Sequence, residues 1–215
     1  MPRLLDLFCK AGGASEGYRR AGFDVVGVDI EAQPNYPFEF HQADAIEFVK
    51  EYGHEFDAIA ASPPCQRYST MTRDHSKHPD LIGPTREALV ATGKPYVIEN
   101  VQGARNFMVD PVKYCGSSFG LRVRRHRLFE SNITIVTPVC DHARQGQAVG
   151  IYGVMETRTY LRPDGTKRGR KAQSLEEAQE AMGIDWMTWK ELTQAIPPAF
   201  TQHIGIQLIR SLTLN

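Results

Sequence analysis

Two side chains in this sequence could carry covalent chemistry on an electron-poor ring. Cys65 lies in "ASPPCQ" (61–66), where two prolines end an apolar strand and hold the cysteine at the strand end. Glu99 follows the apolar run 96–98, so its carboxyl group is either paired or able to carry a proton. A thiol nucleophile beside a carboxyl group that can protonate a ring nitrogen suits attack on a heterocycle. Considered alone, Cys65 could equally be an inert buried thiol.

A third loop has the composition of a nucleotide cradle. "DLFCKAGG" (6–13) runs from an apolar strand into a glycine-rich turn, although it lacks the GxGxxG spacing of the dinucleotide fingerprint. Asp29 ends the next apolar strand, where an acid could hold ribose hydroxyls or cap a turn. Ligands bind at the carboxyl ends of strands in an open parallel sheet, so the three loops are expected to share one crevice.

The elements that position these loops alternate between strand and helix. Apolar strands are predicted at 3–8, 24–30, 56–62 and 95–101, with helices at 14–22, 43–53 and around 80–92. This alternation predicts an α/β fold with a mostly parallel sheet flanked by helices. Further predictions are a strand or edge hairpin at 127–136, a helix opened by a capping box at Ser174, and a Pro-started helix at 196–212.

Composition and charge indicate how large the core is, where a nucleic-acid surface could lie and in which compartment the protein works. The 215 residues suit a single sizeable core with an insertion, and 25 basic residues balance 25 acidic ones. Any nucleic-acid surface must therefore come from local clusters such as "RVRRHR" (122–127). The four cysteines are scattered and no leader or membrane-length apolar run is evident, so free thiols and a cytoplasmic location, in a bacterium or a phage-infected cell, are expected.

Taken in order, these segments resemble the DNA cytosine-5 methyltransferase family over most of the chain. "DLFCKAGG" is similar to the family's first cofactor motif, "PPCQ" (63–66) to its nucleophile motif and "ENV" (99–101) to its acid motif. "RRHR" (124–127) matches the Q-x-R-x-R motif, with Val123 in place of glutamine. "SLEEAQEAMGID" (174–185) and "TQAIPPAF" (193–200) resemble the two closing motifs. Each motif alone is common, but the ordered set is specific.

The resemblance implies a Rossmann-like class I methyltransferase fold and a covalent mechanism on a flipped-out cytosine. Cys65 would add to C6 and Glu99 would hydrogen-bond or protonate N3, while Arg127 would hold O2, with Arg125 supporting that contact by charge-assisted hydrogen bonds. C5 would then take a methyl group from S-adenosylmethionine. The resemblance also implies a cofactor site formed by Asp6, Phe8, Cys9, Lys10, Gly12, Gly13, Asp29, Ile30, Asp44, Ala45, Pro63, Gln194 and Ala195.

The region available for target recognition is small. The chain is expected to divide into a catalytic and cofactor-binding domain (1–135 and 174–215) and a polar, basic insertion (136–173), where the family carries a larger region. Such an insertion predicts relaxed or very short sequence specificity, unless it is only a solvated basic hairpin. The expected partner is double-stranded DNA bound by a monomer. The predicted DNA contacts are Gln66, Ser69, Arg124, Arg158, Arg162, Lys167, Arg168 and Arg170.

Two substitutions in the cofactor motifs leave the identity of the group donor undecided. Gln194 stands where the family has asparagine, and Lys10 stands where the cradle usually has glycine. A lysine near a positive sulfonium is repulsive unless an anion intervenes. That anion could be the methionine carboxylate, or an extra carboxylate on the transferred group, as in carboxy-S-adenosylmethionine. Drift at permissive positions, with Lys10 extending into solvent, is the simpler interpretation.

Other functions remain open on sequence alone. The same chemistry could act on RNA cytosine, and a DNA-binding homologue could keep the fold without turnover. A restriction-modification role is compatible with the resemblance. Cys115 with Cys140-Asp141-His142 matches the spacing of no common structural zinc site, so no metal is expected.

Overall fold

The computed structural model describes residues 1–70, 72–155 and 170–213. A seven-stranded sheet has the order β3-β2-β1-β4-β5-β7-β6. Its first five strands are parallel, whereas β7 runs antiparallel to β5 and β6 antiparallel to β7. The strands are β1 Arg3–Leu7, β2 Asp24–Asp29, β3 Glu39–Gln42, β4 Ala58–Ala61, β5 Tyr96–Asn100, β6 Val112–Tyr114 and β7 Arg127–Ser131.

Helices cover the sheet and complete the α/β fold that the sequence predicted. They are α1 Gly13–Ala21, α2 Ala45–Tyr52, α3 Ile82–Ala91, α4 His142–Gln145, α5 Leu175–Met182, α6 Trp189–Gln194 and α7 Pro198–Thr213. Short 3₁₀ turns join several of these elements. Among the described residues, no helix is both long and apolar enough to cross a bilayer.

The two faces of the sheet bury separate apolar clusters, because side chains alternate along each strand. Leu5 and Leu7 of β1 lie in a cluster with residues of α2 and α3. Leu4, on the opposite face, packs with residues of α1 and α7. Helices α1 and α7 approach closely: a Cβ added at Gly17 would lie 2.0 Å from Oγ1 of Thr201. A third cluster, around α5 and α6, lies beside the carboxyl ends of the strands.

The strand predictions missed two short elements. β3 and β6 contain four and three residues, and their exposed polar positions weaken the apolar signal. The strand predicted at 127–136 ends at Ser131 and lies inside the sheet, since β6 covers its outer edge. The division into two domains stays a prediction, because residues 156–169 of the insertion lie outside the described residues.

Only half of the capping box predicted at Ser174 forms. Ser174 accepts a hydrogen bond from the backbone of Glu177. The carboxylate of Glu177 accepts instead from the backbone of Gln173 and binds Arg170, because the guanidinium is a stronger partner. A complete capping box occurs at Thr188 and Glu191, at the start of α6.

Candidate active site

A cavity of about 340 Å³ opens at the carboxyl ends of the parallel strands. The three loops selected from the sequence meet there, as the sheet topology requires. Sixteen of the predicted site residues line it: Asp6, Phe8, Cys9, Lys10, Gly13, Asp29, Ile30, Asp44, Ala45, Pro63, Cys65, Gln66, Glu99, Arg127, Gln194 and Ala195. The structure therefore brings most of the predicted donor cradle together with three of the four predicted catalytic groups, Cys65, Glu99 and Arg127, in one cavity.

The cradle after β1 is a tight turn with unusual backbone geometry. Phe8 and Lys10 have φ angles of 59° and 46°, and Gly12 has a φ of 82°. Gly12 is absent from the cavity lining and instead packs against Tyr36 at the back of the turn. A Cβ at Gly13 would lie 2.6 Å from the carbonyl oxygen of Ile196. Glycine at this position therefore lets the loop approach the segment that precedes α7.

Asp6 supplies a buried carboxylate at the floor of the cavity. Its Oδ2 accepts a hydrogen bond of 2.5 Å from Oγ of Ser15. Its Oδ1 is buried and has no hydrogen-bond partner among the described residues. Burial raises the pKa of Asp6 to about 7, and the hydrogen bond from Ser15 opposes that shift. An acceptor without a partner beside a cavity suits a donor group on a ligand, such as an ammonium.

Asp29 organises the cradle through its own hydrogen bonds. Its Oδ2 accepts from the backbone N–H of Lys10 at 3.1 Å, and its Oδ1 accepts from the backbone N–H of Glu31 at 3.0 Å. The turn-capping interpretation is therefore correct. It is compatible with ribose binding, because each carboxylate oxygen has two lone pairs.

The ammonium group of Lys10 has carboxylate partners within the protein. Nζ lies 2.9 Å from Oε2 of Glu31 and 3.5 Å from Oδ1 of Asp29. These contacts raise the pKa of Lys10 despite the opposing effect of burial, which is the largest single influence. The anions that Lys10 faces are thus carboxylates at the end of β2, the strand predicted to hold the ribose.

Asp44 has a local structural role that the sequence did not predict. Its Oδ1 accepts hydrogen bonds from the backbone of Ile46 and Glu47, which makes Asp44 the N-cap of α2. Ala45 behind it is buried. Oδ2 of Asp44 makes no hydrogen bond among the described residues, so the side chain keeps an acceptor at the cavity rim.

The loop that carries Cys65 is held by the next strand. Nδ2 of Asn100 donates a hydrogen bond of 2.9 Å to the carbonyl oxygen of Pro63, within the protein interior. The carbonyl oxygen of Cys65 accepts from the backbone N–H groups of Tyr68 and Ser69. The half-buried Cys65 is therefore fixed on both sides. Asn100 therefore positions the loop that carries Cys65. The sequence did not indicate this role, since Asn100 was identified there only as part of the ENV motif.

The charges around Cys65 act in opposite directions on its thiol. Burial and the negative charge of Glu99 raise the pKa of Cys65. The positive charges of Arg127 and Arg125 oppose the shift by favouring the thiolate. The thiol is therefore mainly protonated at neutral pH, and the arginines supply the field that a reacting thiolate needs.

Glu99 and Arg127 lie together at the deep end of the cavity. Oε1 of Glu99 is 2.9 Å from Nε of Arg127, although the N–H direction gives no aligned hydrogen bond. Burial raises the pKa of Glu99, while Arg127, Arg125 and a hydrogen bond from Ser62 oppose the shift. The net shift makes Glu99 easier to protonate than an exposed carboxyl group, and a protonated carboxyl group can donate a hydrogen bond to a ring nitrogen.

Arg125 is placed differently from the prediction. It does not line the cavity, and its guanidinium donates to the carbonyl oxygens of Leu192 at 2.9 and 3.1 Å and of Thr193 at 2.6 Å. Burial and the charge of Arg127 lower its pKa to about 9. Arg125 thus binds the carboxyl end of α6, and its predicted support of the O2 contact stays a prediction.

The segment after α5 closes the cavity over the cradle. Nε1 of Trp186 donates to the carbonyl oxygen of Ala11 at 2.9 Å. Gln194 is exposed and Ala195 is buried, and both line the cavity. Glu191 also lines the cavity and accepts a hydrogen bond from Asn35. The sequence did not indicate this role for Glu191, because a glutamate at this position is also typical of an ordinary helix cap.

The predicted DNA contacts fall into three groups. Gln66 and Arg124 are exposed, and Ser69 lies in the turn after Cys65. Arg170 forms a two-bond ion pair with Glu177, a carboxylate that also pairs with Arg122. The remaining four, Arg158, Arg162, Lys167 and Arg168, lie outside the described residues.

The sequence comparisons with known proteins all match methyltransferases. The profile of the family described as C-5 cytosine-specific DNA methylase matches residues 2–108. A type II methyltransferase of Thalassovita gelatinovora, M.AgeI, is 32% identical over 121 residues, or 47% of this chain and 28% of that protein. M.HgiGI of Herpetosiphon aurantiacus, also a type II methyltransferase, is 32% identical over 81 residues, which cover 32% of this chain and 63% of that protein. The matches thus span less than two thirds of either relative.

Solved structures support the fold independently. A DNA modification methyltransferase encoded within an E. coli prophage aligns over 100% of both chains, with a TM-score of 0.64 and 17% identity. The Dnmt2 methyltransferase of S. pombe covers 98% of this chain and 99% of its own, with a TM-score of 0.61 and 12% identity. At such low identity these likenesses establish the Rossmann-like methyltransferase fold.

Proposed function

We propose that this chain, which belongs to the C-5 cytosine-specific DNA methylase family, transfers a methyl group from S-adenosylmethionine to C5 of cytosine in DNA. One observation carries the proposal: a single cavity brings Cys65, Glu99 and Arg127 together with the cradle after β1. A nucleophile, a proton donor and a cation placed together are the set that addition to a pyrimidine requires. The expected partner is double-stranded DNA, bound by a monomer.

The residues of the cavity fit the proposed donor. Asp6 offers a buried acceptor without a partner, and Gly13 permits the close packing that shapes the cradle. Asp29 and Asp44 would hold the polar groups of the nucleoside and Phe8 its base. When bound, S-adenosylmethionine would supply an electrophilic methyl group on its sulfonium.

The protein groups have distinct roles in the proposed reaction. The Cys65 thiol loses its proton, and the resulting thiolate forms a bond to C6 of the flipped-out cytosine. Glu99 in its neutral form donates to N3, and Arg127 holds O2, so that charge developing on the ring is stabilised. After C5 has gained the methyl group, a base removes the C5 proton, the electron pair of that C–H bond forms the C5–C6 double bond, and the Cys65–C6 bond breaks with its electron pair on sulfur, which regenerates the Cys65 thiolate.

Trapping of the covalent adduct tests this function directly. DNA containing 5-fluorocytosine has no C5 proton to lose, so wild-type protein with S-adenosylmethionine should form a complex stable to denaturation. Cys65→Ser should form none. Mass analysis of ordinary DNA should show 5-methylcytosine, and a parallel RNA substrate should show much less product. Product on RNA alone would transfer the proposal to RNA, and no product with a folded protein would favour a DNA-binding homologue without turnover.

The carboxymethyl alternative rests on Lys10, and the observed contacts weaken it. The ammonium group already pairs with Glu31 and Asp29, so no further carboxylate is needed to explain it. We therefore propose methyl as the transferred group. Supplying carboxy-S-adenosylmethionine beside S-adenosylmethionine decides the matter: carboxymethylcytosine that disappears in Lys10→Gly would restore the alternative.

A further inference from the structure

Four side chains outside the cavity bring two thiols and two imidazoles together. The potential ligand atoms of Cys115, His126, Cys140 and His142 all lie within 4.8 Å of one another. Sγ of Cys115 is 3.2 Å from Nε2 of His142, and Sγ of Cys140 is 3.7 Å from Nε2 of His126. We propose that this cluster binds one Zn²⁺ ion as a closed structural site.

The distances suit tetrahedral zinc. With Zn–S bonds of about 2.3 Å and Zn–N bonds of about 2.0–2.1 Å, neighbouring S and N ligands lie about 3.6 Å apart. The two observed S···N separations lie on either side of that value. Two cysteines and two histidines form a common structural ligand set, and four protein ligands leave no open position for catalysis.

The ligands come from three separate parts of the fold, which explains why their spacing signals nothing. Cys115 directly follows β6, His126 directly precedes β7, and Cys140 and His142 flank the N-cap of α4. Ten residues separate the first pair, and thirteen separate His126 from Cys140. Common zinc motifs instead place ligands in pairs two to five residues apart.

Contacts around the cluster hold these parts together independently of a metal. A Cβ at Gly116 would lie 1.9 Å from the carbonyl oxygen of Val123, so the chain beside Cys115 touches the chain before His126. Oγ of Ser117 accepts from the backbone N–H of Asp141 at 3.0 Å, between the last two ligands. The ligand geometry is therefore largely preorganised.

Charge also favours zinc at this position. Cys115 is buried and the other three ligands are half-buried. Two thiolates neutralise the ion, so the filled site adds no net charge near Lys113 and Arg124, which lie close to His126. Without an ion, the two cysteines and two histidines have few hydrogen-bond partners besides one another, which is unfavourable for partly buried polar groups.

The position of the site indicates what the ion stabilises. His126 separates Arg125 from Arg127, and Cys140 and His142 lie at the start of the predicted insertion (136–173). Zinc would fasten the root of that insertion to the strand that carries Arg127. It would also fix the turn in which Arg125 has a φ of 35°, a conformation that persists only in rigid surroundings.

Metal content tests the proposal without reference to methyl transfer. Protein expressed with zinc in the medium and purified without chelator should contain one zinc ion per chain by native mass spectrometry and elemental analysis. Cobalt substitution should give the intense visible bands of a tetrahedral thiolate site. Wild-type protein with neither zinc nor a tetrahedral cobalt spectrum would overturn the proposal, as would a Cys115–Cys140 disulfide.

Matched variants locate the ion. Cys140→Ser and His142→Ala should each lose bound zinc, whereas Cys9→Ser and His41→Ala should keep it. Zinc retained by both ligand variants would contradict the assignment. Chelation of wild-type protein should lower Tm by on the order of 10 °C, because a structural ion contributes directly to folding free energy. Unchanged Tm on complete zinc removal would contradict the structural role.

Discussion

Nδ2 of Asn100 donates a hydrogen bond of 2.9 Å to the carbonyl oxygen of Pro63, and thereby ties the nucleophile loop to β5. The neighbouring residue on β5 is Glu99, so one strand both carries the proposed proton donor and positions the thiol. A shift of either group would change the distance between them. Asn100 therefore couples the two halves of the proposed chemistry.

Replacing Asn100 by alanine should slow adduct formation more than its stability cost explains. Loss of a buried hydrogen bond costs about 1–3 kcal/mol, and a displaced Cys65 loop lowers the rate further. Asn132→Ala is the matched control, because Asn132 binds Tyr96 and Lys94 at the opposite end of β5. We expect trapping on 5-fluorocytosine DNA to fall at least tenfold in Asn100→Ala and little in Asn132→Ala. Equal effects would reduce Asn100 to an ordinary stabilising residue.

The thiol of Cys65 should titrate according to its charged neighbours. Glu99 raises its pKa and Arg127 lowers it. In Glu99→Gln the pH midpoint of alkylation by iodoacetamide should therefore move down, and in Arg127→Gln it should move up. Peptide mass spectrometry separates Cys65 from the other three cysteines. Midpoints that move together, or in the reverse order, would show that the field at Cys65 has another origin.

Asp6 should make the protein less stable as pH rises through its titration range. Below about pH 4 the carboxyl group is protonated in both folded and unfolded chains. Between 3.8 and about 7 the unfolded chain loses this proton while the folded chain keeps it, so stability falls with pH. At about 1.4 kcal/mol per pKa unit, the total is about 4 kcal/mol.

Urea unfolding at several pH values measures that loss. Asp6→Asn should remove the decline between pH 4 and 7, although the amide adds its own constant cost. The exposed Asp185→Asn should keep the wild-type pH dependence. A wild-type curve parallel to that of Asp6→Asn would mean that Asp6 ionises normally in the folded protein.

The features that could be predicted from the sequence are those encoded locally along the chain. The apolar runs of β1, β2, β4 and β5 and the ordered motifs were sufficient for the fold and most of the cavity lining. Contacts between segments that are distant along the chain could not be predicted from the sequence. The sequence could not show that Arg125 turns toward α6, that Arg170 is paired with Glu177, or that Cys115 meets His142. Those outcomes depend on how loops fold back on the sheet rather than on local spacing.

Arg125 and Arg127 should differ in the kinetic step that each affects. Arg127 borders the cavity beside Glu99, so Arg127→Ala should lower kcat by about a hundredfold or more. Arg125 holds the segment that includes Thr193, which lines the donor side. Arg125→Ala should therefore raise KM for the donor by about tenfold with a smaller loss of kcat. Steady-state kinetics with varied donor distinguish the two, and an unchanged donor KM would contradict this role.

Arg124 and Arg170 should contribute unequally to DNA affinity. The side chain of Arg124 is exposed and, among the described residues, contacts only Oε1 of Gln145, at 3.4 Å, so it can neutralise a phosphate. Arg170 is already ion-paired with Glu177, a carboxylate that Arg122 shares and whose pKa is lowered to about 2 mainly by the contact with Arg170. Each phosphate contact adds about 0.9 to the slope of log affinity against log salt. Arg124→Ala should therefore reduce the slope by about that amount, whereas Arg170→Ala should leave it nearly unchanged. A larger slope change in Arg170→Ala would mean that DNA displaces Glu177 from its ion pair, and the double variant with Glu177→Gln would then restore part of the affinity.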